Sequence, residues 1–345
     1  MLSHTPMRDP SLIDRAAQRL AAGGLVAFPT ETVYGLGARA DDDAAVAAIF
    51  AAKGRPAGHP LIVHLAHADA ASEFAADVSS QARLLMAAFW PGPLTVIVPR
   101  RADRGRAAAG GQASIGLRVP SHPLALALLR ACATRGVPGV AAPSANRFGR
   151  VSPTLAAQVV QEFGPALMVL DGGPCTVGIE STIVDCTRSP PALLRPGQLR
   201  AVDLQAVLGG GAWAAPDAAS PRASGTLASH YAPAVPVRLF STSALLQALQ
   251  SSSGAASGAA AGTARDSKVH AVYSRLKRQE LPATVQTDPG WLFRDMPGDA
   301  DAAAQELFYT LRELEAAGVA EIWVEHPPLT PAWDGVRDRL SRAAA

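Results

Sequence analysis

Along roughly the first two hundred residues, short apolar runs alternate with segments whose apolar positions recur at helical spacing. Residues 11–24 (SLIDRAAQRLAAGG) read as a helix stopped by Gly23 and Gly24, and LVAF (25–28) as a strand. DDDAAVAAIFAAKG (41–54) reads as a helix with an acidic start and Lys53 then Gly54 at its end. PLIVHL (60–65) is a strand, SSQARLLMAAFW (79–90) a helix, LTVIV (94–98) and SIGLRV (114–119) strands. HPLALALLRACATRG (122–136) is a helix, GVAAP (139–143) a strand, and SPTLAAQVVQEFG (152–164) a helix with Ser152 as N-cap and Pro153 in its first position. ALMVLD (166–171), STIVD (181–185) and ALLR (192–195) close the pattern with strands. This alternation predicts an α/β domain around an open twisted sheet.

The periodicity stops at VLGGGAWAAPDAASPRASG (207–225), where Gly, Ala, Pro and Ser dominate, as in a linker. It resumes with strand VPVRLF (235–240), helix SALLQALQ (243–250), strand KVHAVYS (268–274), helix 301–318 and strand VAEIWVE (319–325). That is a second, smaller α/β domain, interrupted by a low-complexity loop at 251–267. The expected organisation is a catalytic domain over 1–206, a linker or lid over 207–234 and a C-terminal domain over 235–345.

Composition adds little field and one oddity. The 345 residues are 48% hydrophobic and carry a formal net charge of +2, which does not indicate nucleic-acid binding by bulk charge and leaves a local basic cleft open. Lysines occur only at 53, 268 and 277, so 28 of the 31 basic residues are arginine. Lys53 is either a surface leftover or a place where a compact point charge is needed. Cys132, Cys175 and Cys186 form no C-x-x-C pair and fit a reducing cytoplasm. The N-terminus shows no leader pattern, and no apolar run reaches membrane-spanning length.

The candidate chemistry lies where strands end. GLGARA (35–40) has the spacing of a dinucleotide fingerprint, but the acidic residue required about twenty positions later is replaced by basic KGRPAGHP. In that stretch Lys53, Arg55, His59 and His64 surround a loop constrained by Gly and Pro, an anion cradle or simply a solvated helix end. His64 also reads as a core histidine. Arg118 shares one face of its strand with Ser114 and Gly116 and suits a carboxylate, or is merely exposed. Ser144 and Asn146 lie between a strand and a helix, and Ser152 either caps that helix or meets a phosphate. Glu180, Ser181 and Thr182 enter a strand and Arg195 ends one. Five polar loops at strand edges predict one shared cleft.

PTETVYGLG, KGRPAGHPLIVH, FWPGPLTVIV, GLRVPSHP, APSANRFGRVSPT, GIESTIVD, LLRPG and GTLASHYAP occur in this order over nearly the whole chain. Together they closely resemble the Sua5/YrdC/YciO family in its full-length Sua5 form. The resemblance implies a YrdC-like open mixed sheet with flanking helices, plus a smaller Rossmann-like α/β C-terminal domain. It implies a cytoplasmic nucleotidyltransferase that makes threonylcarbamoyl-AMP from L-threonine, bicarbonate and ATP, releasing pyrophosphate, for threonylcarbamoyladenosine in tRNA. Threonine contacts carry over to Thr32, His64, Arg118, Ala142 and Ser181. ATP contacts carry over to Arg55, His59, Ser114, Ser144, Ser152, Arg195 and Tyr231, with Lys53 and Arg55 as the catalytic cations. Tyr231 would lie against the nucleotide or merely anchor the linker. His59 stands where many members have Asn, which brings its charge state into question. Mg²⁺ is expected on the ATP phosphates without a named protein ligand, and the downstream tRNA threonylcarbamoyl-transferase complex is the expected partner. The alternative is a double-stranded RNA-binding protein that uses the basic concave cleft, and weak RNA binding is included among the expected partners.

Overall fold

The computed structural model describes residues 10–211, 213–227, 230–254 and 269–345. The N-terminal nine residues and residues 255–268, most of the segment read as low-complexity, lie outside the described residues. The chain packs as two units, Met1–Phe148 with Ser152–Leu227, and Gly149–Val151 with Ala228–Ala345. The division therefore falls inside the stretch read as a linker, whose residues up to Leu227 pack with the first unit.

Among the described residues, the first unit is built on β1 (Val26–Phe28), β2 (Gly35–Arg39), β3 (Ile62–His64), β4 (Leu94–Pro99), β5 (Ser114–Arg118), β6 (Val140–Ala141), β7 (Met168–Val169), β8 (Thr182–Asp185) and β9 (Ala192–Arg195). They form one mixed sheet in the order β7-β1-β2-β6-β3-β5-β4-β8-β9. β3 runs parallel to β5 and β4 parallel to β8, whereas β4 and β5 are antiparallel. The register sets Val63 beside Leu117, Leu117 beside Val96, and Val96 beside Val184. This buried row of branched and aliphatic side chains is part of the core on that face. One residue further on, His64 pairs in register with Arg118. Because successive side chains alternate faces, those two polar groups project from the opposite side.

Local signals explain the helices that flank the sheet. Asp42 caps the helix Asp43–Lys53 by accepting from the N–H groups of Ala44 and Ala45, and Gly54 ends it in the left-handed conformation. The ring of His122 accepts the Leu124 N–H at the start of Pro123–Ala133. Lys53 is thus the last residue of its helix, carried to the edge of the sheet.

GLGARA, set aside above as a dinucleotide fingerprint, supplies β2, the return strand of a hairpin in which Val26 faces Gly37 and Phe28 faces Gly35. A Cβ on Gly37 would lie 2.8 Å from both Phe28 and Val140. The glycine is therefore required by side-chain packing on the sheet and not by close approach of a ligand. The helix expected to begin at Ser152 begins at Ala156, preceded by extended residues: the Tyr34 N–H donates to the Pro153 carbonyl, and the Cys175 N–H to that of Thr154. Gln158 takes over the capping, accepting from the N–H groups of Thr154 and Leu155. Finally, residues 251–254 continue the helix Thr242–Gly254.

The second unit carries β10 (Val237–Phe240), β11 (His270–Ser274), β12 (Trp291–Asp295) and β13 (Ile322–Glu325) in an all-parallel sheet, order β10-β13-β11-β12. β12 escaped the pattern reading because WLFRD lacks clean alternation. The helix Ala300–Ala316 buries Leu307, Phe308, Leu311 and Leu314. At the carboxyl ends of the strands, Glu325 accepts from Thr242 Oγ1, Ser274 Oγ, and both the backbone and the guanidinium of Arg275.

Substituting Gly37→Ala forces Phe28 and Val140 apart. We expect a loss of about 1–3 kcal/mol, typical of overpacking, read as a lower urea midpoint with an unchanged slope.

Candidate active site

The turn after β1 is organised by hydroxyls. Thr30 Oγ1 donates to the Val33 carbonyl at 2.6 Å and accepts from the N–H groups of Thr32 and Val33. Its only hydrogen is then used, so at 2.8 Å Thr32 Oγ1 is the donor to Thr30 Oγ1. The Thr32 oxygen in turn accepts from Arg118 Nη1 at 2.9 Å.

Arg118 ends β5 at 3% exposure. Its Nε donates to the Gly92 carbonyl and its Nη2 meets Glu31 Oε1 at 2.5 Å. The other Glu31 oxygen accepts the Ser121 N–H. An arginine has five N–H bonds. Three are used here, which leaves one on each terminal nitrogen. The carboxylate role expected of a substrate is thus already taken in part by Glu31, a residue the sequence reading did not single out. Its signal was in plain view, since a glutamate between two threonines in an otherwise buried turn must find a cation.

His64 stands beside Arg118 and edge-on to Phe28, with 5.9 Å between ring centroids. Burial, and next the Arg118 charge, push its pKa down to about 3. The ring is therefore neutral at physiological pH, and its Nδ1 has no hydrogen-bond partner among the described residues. The Ala142 N–H donates to the Ile62 carbonyl on the adjoining strand. Ser181 lies across the sheet, 2.8 Å from Thr95 Oγ1. Thr32, His64, Arg118, Ala142 and Ser181 thus all sit where β2, β3, β5, β6 and β8 begin or end.

A second cluster adjoins Ser181. Arg195, at 2% exposure, donates from Nε and Nη2 to the Ser181 carbonyl and from Nη1 to the Ser224 carbonyl. Arg55 donates to the Pro60 carbonyl at 3.0 Å and to Ser224 Oγ at 3.4 Å, and lies over the Phe148 ring. His59 packs edge-on against the same ring. Burial and the charges of Arg55 and Arg222 lower its pKa, so it too is neutral at pH 7. Ser114 lines a cavity of about 20 Å³ with Thr95, Arg222, Ala223 and Ser224. Residues 213–225 thus form a strap over the strand ends, secured by Arg188, which bridges Asp185 and Asp217.

Lys53 is buried, and its ammonium reaches the carbonyl oxygens of Ser144 and Asn146. Burial, then Arg55, pull its pKa well below the usual lysine range, while Glu162 and Glu180 oppose that shift. Lys53 therefore shapes the loop that carries Ser144. Ser152 donates to Glu180 Oε1 at 2.5 Å instead of capping a helix. Tyr231 belongs to the second unit. There it is buried with φ 63°, packed on Phe308 with Arg339 over its ring. No group of three or more His, Cys, Asp or Glu side chains gathers as a metal site among the described residues. The cleft carboxylates Glu31 and Glu180 are already engaged by the arginine, amide and hydroxyl groups described above.

Comparisons with known proteins agree on one family. A model described as "Telomere recombination" (Sua5_yciO_yrdC) matches residues 18–197, and one described as "Threonylcarbamoyl-AMP synthase, C-terminal domain" matches 198–345. The chain is similar to threonylcarbamoyl-AMP synthases from three organisms. Identity is 45% over 195 residues with that of Pyrococcus abyssi, covering 56% of each chain. It is 41% over 236 residues with that of Bacillus subtilis, covering 67% of each. With that of Schizosaccharomyces pombe it is 33% over 389 residues, covering 99% of this chain and 91% of the relative. Two solved structures are also similar. One is a double variant of P. abyssi Sua5, with TM-score 0.83, 31% identity, and 99% and 95% of the two chains covered. The other is P. abyssi Sua5 complexed with L-threonine, with TM-score 0.82, 32% identity, and 96% and 94% covered.

Two outcomes follow from the buried groups. Glu31→Gln removes the counter-charge of a buried guanidinium and lowers stability by about 3 kcal/mol in urea titration. His64 is held neutral with a pKa of about 3 against 6.5 in the unfolded chain. The unfolded state therefore binds the extra proton, and stability falls as pH drops from 6.5 towards 3, by up to about 1.4 kcal/mol per pH unit from this group. In His64→Gln that part of the slope disappears, measured as the difference between the two proteins' urea stabilities across this range.

Proposed function

The chain belongs to the Sua5/YrdC/YciO family, and on that premise we infer that it is a threonylcarbamoyl-AMP synthase. It joins L-threonine, bicarbonate and ATP and releases pyrophosphate, for the threonylcarbamoyl modification of tRNA. The observation that carries this reading is the placing of two cationic clusters at neighbouring strand ends of one sheet. Arg118 with Thr32 lies at the end of β5, and Arg195 with Ser181, Thr95 and, through Ser224, Arg55 lies beside β4, β8 and β9.

On this reading the threonine carboxylate takes the two N–H bonds that Arg118 does not spend internally, and neutral His64 lies beside it. The threonine amine adds to CO₂ derived from bicarbonate, giving N-carboxy-threonine with loss of one proton from nitrogen. A carboxylate oxygen of that carbamate then forms a bond to the α-phosphorus of ATP, the bond to the bridging oxygen breaks, and pyrophosphate leaves. Neither step uses a covalent enzyme intermediate, so the residues act by positioning and charge. Arg55 and Arg195 offset charge on the phosphates, and Ser114, Ser144, Ser152 and neutral His59 supply neutral polar contacts to the nucleotide. Lys53 contributes by fixing the Ser144 loop and through its proximity to Arg55. Mg²⁺ carried by the triphosphate would supply further charge neutralisation there. The product passes to the tRNA threonylcarbamoyl-transferase machinery in the cytoplasm.

Nothing in the comparisons supports the double-stranded RNA reading, and the burial of Lys53, Arg55, Arg118 and Arg195 gives it no open basic patch at these residues.

The test is pyrophosphate release from ATP with L-threonine and bicarbonate present together or singly. Release that requires both, with threonylcarbamoyladenylate found by mass spectrometry, is the expected result. Release indifferent to threonine would falsify the assignment. Arg195→Gln should lower kcat/KM for ATP by about tenfold or more, the loss of one charge-assisted phosphate contact.

A further inference from the structure

Arg222 lies in the strap at an unusually well-defined place. Its backbone is held by one side chain on both sides: the Arg222 N–H donates to Gln112 Oε1 at 2.8 Å, and Gln112 Nε2 donates to the Arg222 carbonyl at 3.1 Å. Ala223, the next residue, is buried with Ile97 and Ile183. Residue 222 is thereby fixed in register against the sheet, although its side chain is exposed. A simple spacer needs neither the double amide clasp nor the apolar anchor beside it.

The guanidinium extends over the loop that carries Arg55 and His59. Nη2 donates to the Gly110 carbonyl at 3.2 Å, and Nη1 lies 3.4 Å from where a Cβ on Gly58 would stand. Its charge is felt at His59. Ser224, two residues along, occupies donors of both Arg195 and Arg55. The cavity between strap and sheet is only about 20 Å³, far below what a nucleotide needs. A triphosphate that takes over the donors Ser224 now occupies on Arg55 and Arg195 comes to lie beside Arg222.

We propose that Arg222 is a further polyphosphate-binding residue of this enzyme, a third guanidinium delivered by the strap to the phosphate tail that Arg55 and Arg195 hold from the sheet. Its planar fork suits phosphate oxygens, and the Gln112 clasp holds its backbone ready before the ligand arrives. This assignment rests on the nucleotide-binding reading above and adds to it a residue outside the sheet.

The experiment separates the tail from the rest of the nucleotide. Binding of α,β-methylene-ATP and of AMP is measured by calorimetry for the wild type, Arg222→Gln and Arg222→Lys. The expected result is a loss of about tenfold or more in α,β-methylene-ATP affinity in Arg222→Gln, less than about twofold for AMP, and partial recovery in Arg222→Lys. The urea midpoint of ligand-free Arg222→Gln should stay at the wild-type value, since the backbone clasp remains. Equal losses for both nucleotides, unchanged affinity for the analogue, or a lowered midpoint that accounts for the loss would each overturn the assignment. If the wild type binds neither nucleotide, the nucleotide-site reading itself falls, and that outcome is distinct from an Arg222 variant that binds like the wild type.

Discussion

Glu31 and Arg118 meet at 2.5 Å with both side chains almost wholly out of water. Removing two charges from water costs several kcal/mol for each ion, and the attraction between them repays that only when the remaining donors and acceptors are also matched. Here they are. Glu31 takes an amide from Ser121, and Arg118 gives to a threonine hydroxyl and to the Gly92 carbonyl. The constraint reaches outward through the backbone. The Val177 N–H donates to the Glu31 carbonyl, the Gly178 N–H to that of Thr32, and the Gly92 N–H to that of Val119. The turn after β1, the loop before β4, the end of β5 and the approach to β8 are thus tied to one ion pair. A mixed sheet allows this, because it brings the end of β5 next to the start of β4 and the start of β4 next to that of β8.

The second organising device is the use of backbone carbonyls as partners for cations. Lys53 reaches two of them in the Ser144–Asn146 loop, and Arg195 reaches those of Ser181 and Ser224. Carbonyl dipoles stabilise a buried cation without cancelling its formal charge. Carbonyl partners thus leave the formal charge of Arg195 uncancelled, which a glutamate in their place would not. The arginine-rich composition acquires a physical reason at these positions, since a planar fork can bridge a carbonyl and a hydroxyl at once. Lys53 departs from that habit where a single ammonium must fit between two carbonyls at a helix end.

Much of the scaffold was legible from periodicity, because short apolar strands and amphipathic helices follow from burial alone. What escaped did so for identifiable reasons. β2 was hidden by its glycines, which look like turn signals until Phe28 and Val140 are seen to fill the space beside Gly37. The start of the helix after Ser152 was misplaced because a serine before a proline is a strong local cap. The long-range bonds of Pro153 and Thr154 with Tyr34 and Cys175 outweighed it. At the site, the strand-edge residues Arg118, Ser181 and Arg195 were visible from alternation and chain order. Glu31, Thr95, Gln112 and Ser224 were not, since each has meaning through distant partners, 87, 86 and 110 residues away for the first three and 29 and 169 away for Ser224.

These features give substrate binding the character of an exchange. Nearly every donor named in the cleft is already matched by a protein oxygen, so an incoming ligand replaces bonds more than it adds them. Net affinity in such a site depends on the difference between the two sets. A neutral serine oxygen on Arg55 or Arg195 is a weaker partner than a phosphate oxygen, so exchange there favours a polyanion. At Arg118 the resident partner is itself a carboxylate with an amide behind it, and an amino-acid carboxylate has no such advantage over it. On the proposed reading, the economical arrangement leaves Glu31 in place and uses the two remaining N–H bonds. On that proposal, selectivity for a small hydroxy amino acid falls to the groups around that position: the Thr32 hydroxyl, already ordered by Thr30, the neutral ring of His64, and Ser181 across the sheet. A side chain lacking a hydroxyl would meet these polar groups without satisfying them, and discrimination of that kind is larger than shape alone provides.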